Sequence, residues 1–160
     1  MIPRLATPAD APELVRVINL AYQVEADMFH GERTSEDDVC ARLAAPNAVF
    51  LAIDKPGAAP GRLVGAVYVE SNDRRGYFAM LAVDPAYQGR GLGKALVHAA
   101  EDYCRSVGCE VMDIDVVHLR AELPGFYTAL GFTQTGTVPF ADPSRTKRPV
   151  TLLQMEKPLA

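Results

Sequence analysis

The chain lacks the marks of a membrane or secreted protein. None of its apolar runs approaches the roughly 18 residues that a membrane span needs. It begins without the basic segment and following apolar segment that are typical of a secretory leader. The sequence therefore predicts a cytoplasmic protein with no membrane partner.

An excess of basic residues is also missing. Lysine and arginine number 16 against 20 aspartate and glutamate residues, which gives a net charge of -4 and a pI near 5.3. Proteins that bind the phosphate backbone of nucleic acids usually present a basic face. We therefore expect no nucleic-acid partner.

Cysteine is scarce, with three residues at Cys40, Cys104 and Cys109. The number is odd, and the spacing lacks the close pairs that are typical of metal ligands. This pattern favours buried free thiols over a disulfide framework, and we expect no metal.

What is present is the composition of one globular domain. The chain has 160 residues, of which 49% are hydrophobic and 22% are charged. A chain of this length buries roughly two thirds of its unfolded surface. No internal repeat and no linker divides it, so the sequence predicts a single domain over residues 1–160.

Hydrophobic periodicity predicts a mixed α/β sheet of about seven strands flanked by about four helices. The predicted strands span 2–6, 48–54, 62–70, 76–83, 109–117, 132–138 and 150–157. The first predicted helix follows the cap residue Thr7 and has an apolar stripe to Ala21, and the second runs from the capping signal at Thr34–Asp38 to Leu43. Two further helices are predicted at 92–107 and 121–130.

Two of these strands should form the centre of the sheet. Strand 76–83 is apolar on both alternating faces, as expected for a strand covered from both sides. Strand 109–117 should lie parallel to it, because a helix intervenes. The loop KPGAAPG, residues 55–61, should instead form the loose tip of a hairpin.

A glycine-rich joint, LAVDPAYQGRGLGKAL, connects strand 76–83 to the helix at 92–107. The backbone N–H groups at a helix N-terminus lack partners and favour a bound phosphate. Glycine lets a ligand approach such groups closely. With Arg90 and Lys94 adding positive charge, the joint is predicted to be a phosphate cradle.

Two familiar phosphate motifs do not fit this joint. A P-loop needs a glycine five residues before Gly93, where Gln88 stands, and a hydroxyl after the lysine, where Ala95 stands. The dinucleotide motif needs a glycine where the chain has Lys94 or Leu96. Nucleoside triphosphatases and nicotinamide enzymes are therefore disfavoured.

The joint does match Q-x-x-G-x-G at Gln88–Gly93 and resembles the acetyl-CoA signature of the GNAT superfamily of N-acetyltransferases. A second segment, FYTALGF at 126–132, is similar to that family's F-Y-x-x-L-G-F helix. The resemblance implies a GNAT-like mixed sheet whose central parallel strands splay apart at their C-terminal ends. It extends over nearly the whole chain in the order of its elements.

The resemblance also implies how acetyl-CoA binds as a co-substrate. Backbone groups of Leu81 and Val83 would bond the pantetheine amides, and Tyr127 would lie near the sulfur. The pyrophosphate would be held by Gln88, Gly89, Arg90, Gly91, Leu92, Gly93 and Lys94.

The reaction implied is direct transfer of the acetyl group to a primary amine of a small molecule or peptide. Tyr127 is the predicted general acid. Many relatives have a carboxylate base on the central strand, but 76–83 contains none. The alternatives for the base are Glu70, Asp115 with Asp113 on the same strand face, and His118. Deprotonation through a water chain is a further alternative.

Basic residues outside the cradle leave two further questions. Arg120 stands seven residues before Tyr127, where many relatives have asparagine, and could meet a CoA phosphate or an anionic substrate. Arg145, Lys147 and Arg148 raise the same alternative, although a solvated loop is favoured for them.

Two other functions stay open at this stage. One is acetylation of a protein N-terminus or lysine, and the other is a non-catalytic CoA-binding regulatory domain. A homodimer through the sheet edges or the C-terminal hairpin is a further alternative.

Overall fold

The protein folds around a seven-stranded mixed sheet with helices on both faces. This computed structural model describes residues 1–58 and 61–160. The strands are β1 (Arg4–Leu5), β2 (Ala48–Asp54), β3 (Leu63–Asn72), β4 (Arg75–Val83), β5 (Val111–Val117), β6 (Thr133–Pro139) and β7 (Thr151–Pro158). The helices are α1 (Ala11–Tyr22), α2 (Glu36–Ala44), α3 (Leu92–Ser106) and α4 (Leu123–Ala129).

The strand order is β1-β2-β3-β4-β5-β7-β6, so β4 and β5 lie at the centre. These two strands run parallel, whereas the other neighbouring strands are antiparallel. The predicted fold class, the central position of β4 and the C-terminal hairpin are thereby confirmed. Of the predicted hairpin tip, Ala59 and Pro60 lie outside the described residues.

The two faces of the sheet carry separate hydrophobic clusters. On one face, α1 and α2 pack through Leu14, Ile18 and Val39. On the other face, α3 packs through Leu96 and Ala100. Alternating strand residues supply both clusters, as the apolar pattern predicts. Within the described ranges no helix combines the length and the apolar character that crossing a bilayer requires.

The cysteines are free, but only two of them are buried. Cys104 and Cys109 are buried, and Cys40 is exposed on α2. The prediction of buried thiols is therefore wrong for Cys40, which stands on the outer side of a short helix. Gly76 of β4 packs beneath Cys104, and a Cβ built on this glycine would stand 2.5 Å from the Cys104 Sγ.

Candidate active site

The two central strands separate soon after they meet. β4 and β5 pair only from Arg75 to Tyr77 on one strand and from Val111 to Asp113 on the other. Past these residues the strands border a cavity of about 470 Å³, lined by 77–81 of β4 and 114–117 of β5. The predicted splay is confirmed, and it produces a pocket in the middle of the sheet.

A bulge in β4 accompanies this separation. Ala66 pairs with Ala82 and Tyr68 with Ala79, so Val67 alone faces two residues of β4. Met80 within the bulge has φ 55, in the left-handed region that non-glycine residues rarely adopt. Because a bulge bends its strand and increases the local twist, it directs β4 away from β5.

The glycine-rich joint lies where β4 leaves this gap and α3 begins. Gly89 has φ 78 and Gly91, the N-cap of α3, has φ 79, so the backbone itself requires glycine at both positions. Gly93 is different, because a Cβ there would meet Phe126 and Val83 at ordinary distances of 3.8 and 3.9 Å. The fold therefore leaves room for a side chain at Gly93.

The charge around the joint is positive and accessible. Arg90 is exposed, and its guanidinium lies 4.8 Å from the centroid of the Tyr87 ring. Lys94 is also exposed, in the first turn of α3, which contains no acidic residue. Neither cation forms an ion pair with a residue that the structure describes. Both can therefore contact an anion at the helix N-terminus.

Tyr127 of α4 lies in the wall of the cavity. The residue is 6% exposed and packs against the rings of Phe78, Phe126 and Phe132. Its hydroxyl makes no hydrogen bond to any described residue. Burial raises the pKa of Tyr127 well above its usual value near 10. The side chain therefore presents a protonated hydroxyl at neutral pH.

Of the four side chains predicted as alternatives for the base, Asp115 lies in the cavity wall, although it is exposed to solvent. Desolvation by the surrounding protein raises the pKa of the Asp115 carboxyl, and the neighbouring charge of Asp113 adds to the effect. Asp113 is placed differently, because Arg75 binds its two oxygens at 2.6 and 2.7 Å at the paired ends of the strands.

Glu70 and His118 lie outside the residues that line the cavity. Glu70 accepts hydrogen bonds from Tyr68 at 2.6 Å and from Asn72 at 3.0 Å, and these bonds lower the pKa of its carboxyl. His118 is exposed, and its Nδ1 accepts the backbone N–H of Thr151 at 3.0 Å. The structure does not bring either group together with Tyr127.

The segment after α1 adds polar residues that the sequence interpretation did not single out. Tyr22, Glu25 and Arg33 line the cavity, together with Tyr77 of β4. Burial raises the pKa of Tyr22 to about 12 and also raises that of Tyr77. No local motif marks these residues. Tyr22 ends α1 and Tyr77 belongs to β4, whereas Glu25 and Arg33 reach the cavity through the path of the segment that follows α1.

Arg120 is held by two carboxylates. Its Nη1 donates to Glu25 at 2.8 Å, and its Nε donates to Glu122 at 2.6 Å. Glu25 is 6% exposed, and burial raises the pKa of its carboxyl despite the arginine. The contact of Arg120 with a CoA phosphate or an anionic substrate stays a prediction, and its charge is already balanced within the protein.

The ion pair makes the stability of an Arg120 variant depend on pH. We expect Arg120→Gln to lower the free energy of unfolding by about 3 kcal/mol at pH 7, because it leaves a buried carboxylate unpaired. Without the arginine, the Glu25 pKa in the folded protein lies still further above its unfolded value. The loss should therefore be full above the folded pKa and shrink as pH falls through it.

Urea unfolding at several pH values measures this effect, with Glu25→Gln/Arg120→Gln as the matched control. The double variant should be more stable at pH 7 than Arg120→Gln and should lack its pH dependence. An Arg120→Gln loss of equal size at pH 4 and pH 7 would show that the effect comes from lost packing.

Known proteins resemble this chain over most of its length. A family model described as the acetyltransferase (GNAT) family matches residues 15–132. The mycothiol acetyltransferase of Nocardia farcinica is 33% identical over 137 residues, 79% of this chain and 43% of that protein. Glucosamine 6-phosphate N-acetyltransferase 1 of Oryza sativa subsp. japonica is 36% identical over 99 residues, 58% of each chain. The chain thus spans about two fifths of the former relative and three fifths of the latter.

Solved structures share the fold. A GNAT superfamily phosphinothricin acetyltransferase from Sinorhizobium meliloti, in complex with acetyl-CoA, superposes with a TM-score of 0.78 at 18% sequence identity. The match covers 99% of this chain and 88% of that chain. At this identity the likeness establishes the architecture, and the chemistry depends on the residues described above.

Proposed function

This chain belongs to the acetyltransferase (GNAT) family, and on that premise we propose that it transfers an acetyl group from acetyl-CoA directly to a primary amine. The observation that carries the proposal is the gap between β4 and β5, which opens beside the glycine-rich start of α3. One ligand can then occupy the gap with an extended arm and place its phosphates on the helix.

The pantetheine arm is proposed to extend β4 as an added strand. Beyond Tyr77, no strand within the described residues pairs with β4 on its β5 side. The backbone groups of Leu81 and Val83 can therefore bond the pantetheine amides, as in β-strand addition. The residues from Gln88 to Lys94 would hold the pyrophosphate on backbone N–H groups and on the Arg90 and Lys94 cations.

In the proposed reaction the amine nitrogen forms a bond to the acetyl carbon, and the carbon–sulfur bond breaks. Acetyl-CoA supplies the activated thioester, and the Tyr127 hydroxyl donates to the departing sulfur. Since a thiol has a pKa near 8.5, complete proton transfer from the less acidic Tyr127 is uphill. We therefore assign Tyr127 chiefly the role of a hydrogen-bond donor to the sulfur, and the departing thiolate takes up the second proton, which the nitrogen loses once its bond to the acetyl carbon has formed.

The proton released by the amine is proposed to pass to Asp115, directly or through water. Alkylamines have pKa values of about 10 and are mostly cationic at pH 7, so the reaction needs a proton acceptor. Asp115 lies in the cavity with a raised carboxyl pKa, which makes it a better acceptor than an ordinary aspartate. Glu70 and His118 stay alternatives that would need a longer water chain.

Thermal unfolding with and without acetyl-CoA tests the proposal. A ligand that binds only the native state at 100 times its Kd adds about 2.7 kcal/mol of stability. We expect a clear rise in Tm with acetyl-CoA and none with acetyl phosphate, which lacks the pantetheine and the nucleotide. An unchanged Tm at millimolar acetyl-CoA would contradict the proposed cofactor site.

Thiol release then separates an enzyme from a regulatory CoA-binding domain. The protein is incubated with acetyl-CoA and a panel of primary amines, and free CoA is measured with a thiol reagent. We expect release that depends on an amine and is stoichiometric with N-acetylated product. Binding of acetyl-CoA without release for any amine would favour the regulatory domain.

A further inference from the structure

Two arginines without carboxylate partners among the described residues line the cavity. Arg33 follows the 3-10 turn after α1, and Arg145 belongs to the loop between β6 and β7. Both residues line the main cavity, and both line an adjoining surface pocket. Neither guanidinium forms an ion pair or a side-chain hydrogen bond with the part of the chain that the structure describes.

Several acidic side chains that line the two pockets have other partners, whereas Glu36 and Asp115 form no ion pair with a described residue. Glu25 binds Arg120 at 2.8 Å, and Glu32 accepts a hydrogen bond from Asn19 at 2.6 Å. Asp38 accepts from Thr34 at 2.6 Å and from Arg42 at 3.0 Å. The positive charge of Arg33 and Arg145 therefore remains available to a ligand.

Backbone bonds hold the Arg145 loop against the cavity. The carbonyl of Arg145 accepts the N–H of His30, and the N–H of Lys147 donates to Met28, both at 2.8 Å. The rings of Phe29 and Phe140 meet edge to face with centroids 5.1 Å apart. These contacts join the two loops into one wall, so Arg145 borders the cavity at a fixed place although it is exposed.

Arg33 also has a fixed place in this wall. Its guanidinium lies 5.3 Å from the centroid of the Tyr22 ring, which lines the same cavity. A guanidinium stacked on a ring keeps its N–H groups free in its own plane, where they can form paired hydrogen bonds with a carboxylate or a phosphate. Arg145 adds a second guanidinium to the lining of the same cavity, and two guanidiniums in one cavity can bind the same anion.

We propose that Arg33 and Arg145 bind a carboxylate or phosphate group of the acceptor, whose amine points toward Asp115 and Tyr127. This proposal rests on the proposed function and narrows its substrate to a small amine that carries an acidic group. A cavity of about 470 Å³ suits a small molecule. The joined loops on this side favour such a molecule over an extended peptide.

Matched pairs of amines test the substrate class. Alanine is compared with alaninamide, and glucosamine 6-phosphate with glucosamine, in the thiol-release assay at saturating acetyl-CoA. We expect kcat/KM to be at least tenfold higher for the acidic member of one pair. The pair that shows the preference identifies the anion as carboxylate or phosphate.

Variants identify the residues responsible. Arg33→Gln and Arg145→Gln should each lower kcat/KM for the acidic member about tenfold to a hundredfold, mainly through KM, because each removes charge-assisted hydrogen bonds. The neutral member should change less than threefold. Arg148→Gln is the matched control, since Arg148 lies in the same loop, pairs with Asp27 and does not line the cavity.

Three results would overturn the proposal. They are a preference for the neutral amines or for a neutral peptide, an equal effect of the variants on both members of a pair, and no turnover of any acidic amine by protein that turns over a neutral amine. Failure of the proposed function itself is distinct, because the wild-type protein would then either show no rise in Tm with acetyl-CoA or release no CoA with any amine, neutral or acidic.

Discussion

Replacing Gly91 with aspartate should weaken acetyl-CoA binding by more than a hundredfold. The residue caps α3 with φ 79, and no atom of a described residue lies within 4 Å of a Cβ built on it, so a carboxylate has open space at the helix N-terminus where the phosphates are proposed to bind. Two like charges 4 Å apart repel by about 4 kcal/mol at an effective dielectric of 20. A tenfold change in affinity requires only about 1.4 kcal/mol. Calorimetric titration with acetyl-CoA measures the loss.

Gly91→Asn is the matched control for this charge. Asparagine has nearly the same shape as aspartate, and both tolerate the left-handed conformation better than other side chains. The asparagine variant should therefore bind acetyl-CoA clearly better than the aspartate variant, and both should be folded by circular dichroism. Equal affinities for the two variants would mean that no phosphate lies beside Gly91.

Gly93→Ala provides a second control that separates the fold from the ligand. The alanine methyl fits beside Phe126 and Val83, and alanine is favoured over glycine within a helix by roughly 0.5–1 kcal/mol. The free protein should therefore gain stability while acetyl-CoA affinity falls. If Gly93→Ala raised the stability of the free protein and of the acetyl-CoA-bound protein alike, neither the fold nor cofactor binding would require glycine at this position.

The parts of the candidate site that could be predicted are those encoded in short, contiguous segments. The glycines from Gly89 to Gly93 and the segment FYTALGF have the spacing of family motifs. The structure places the glycines at the start of α3 and Tyr127 of that segment in the cavity wall. The left-handed conformation of Gly89 and Gly91 is a local backbone property that only glycine adopts freely. Sequence alone therefore suffices to predict the backbone conformation on which the proposed phosphate cradle depends.

The choice among carboxylates depended on long-range pairing. Asp113 and Asp115 occupy the same face of β5, two residues apart, and the alternating pattern cannot separate them. Pairing with β4 ends at Asp113, so Asp113 meets Arg75 while Asp115 reaches the cavity. The length of a strand pairing is set by the whole sheet, and no residue in β5 encodes it.

The wall that the two joined loops form could be predicted only in part, because the sequence raised Arg145 as a contact for an anion but did not indicate Glu25 or Arg33. Glu25, Arg33 and Arg145 come from two loops distant in sequence, which meet through backbone bonds such as that between His30 and Arg145. Met80 is a similar case, because its left-handed φ of 55 contradicts the preference of its residue type. Both features arise from tertiary packing that overrides local preferences.

Removing the Tyr127 hydroxyl should lower kcat by about a hundredfold and leave the fold intact. Removing one hydrogen-bond donor that is aimed at developing negative charge lowers kcat by roughly 10²–10³-fold. The hydroxyl has no hydrogen-bond partner among the described residues, so Tyr127→Phe leaves no polar group unsatisfied. The phenyl ring can keep the contacts with Phe78 and Phe132. Steady-state kinetics and acetyl-CoA titration of the same preparation measure the two effects.

Tyr103→Phe is the matched control, because Tyr103 packs beside the core on α3 and does not line the cavity. It should keep wild-type kcat. A Tyr127→Phe variant whose loss of kcat is matched by an equal loss of acetyl-CoA affinity would show that Tyr127 is structural. If only kcat falls, the buried hydroxyl acts after binding, where charge develops on the sulfur. Its raised pKa should then keep it protonated, so its ionisation should not reduce activity below about pH 10.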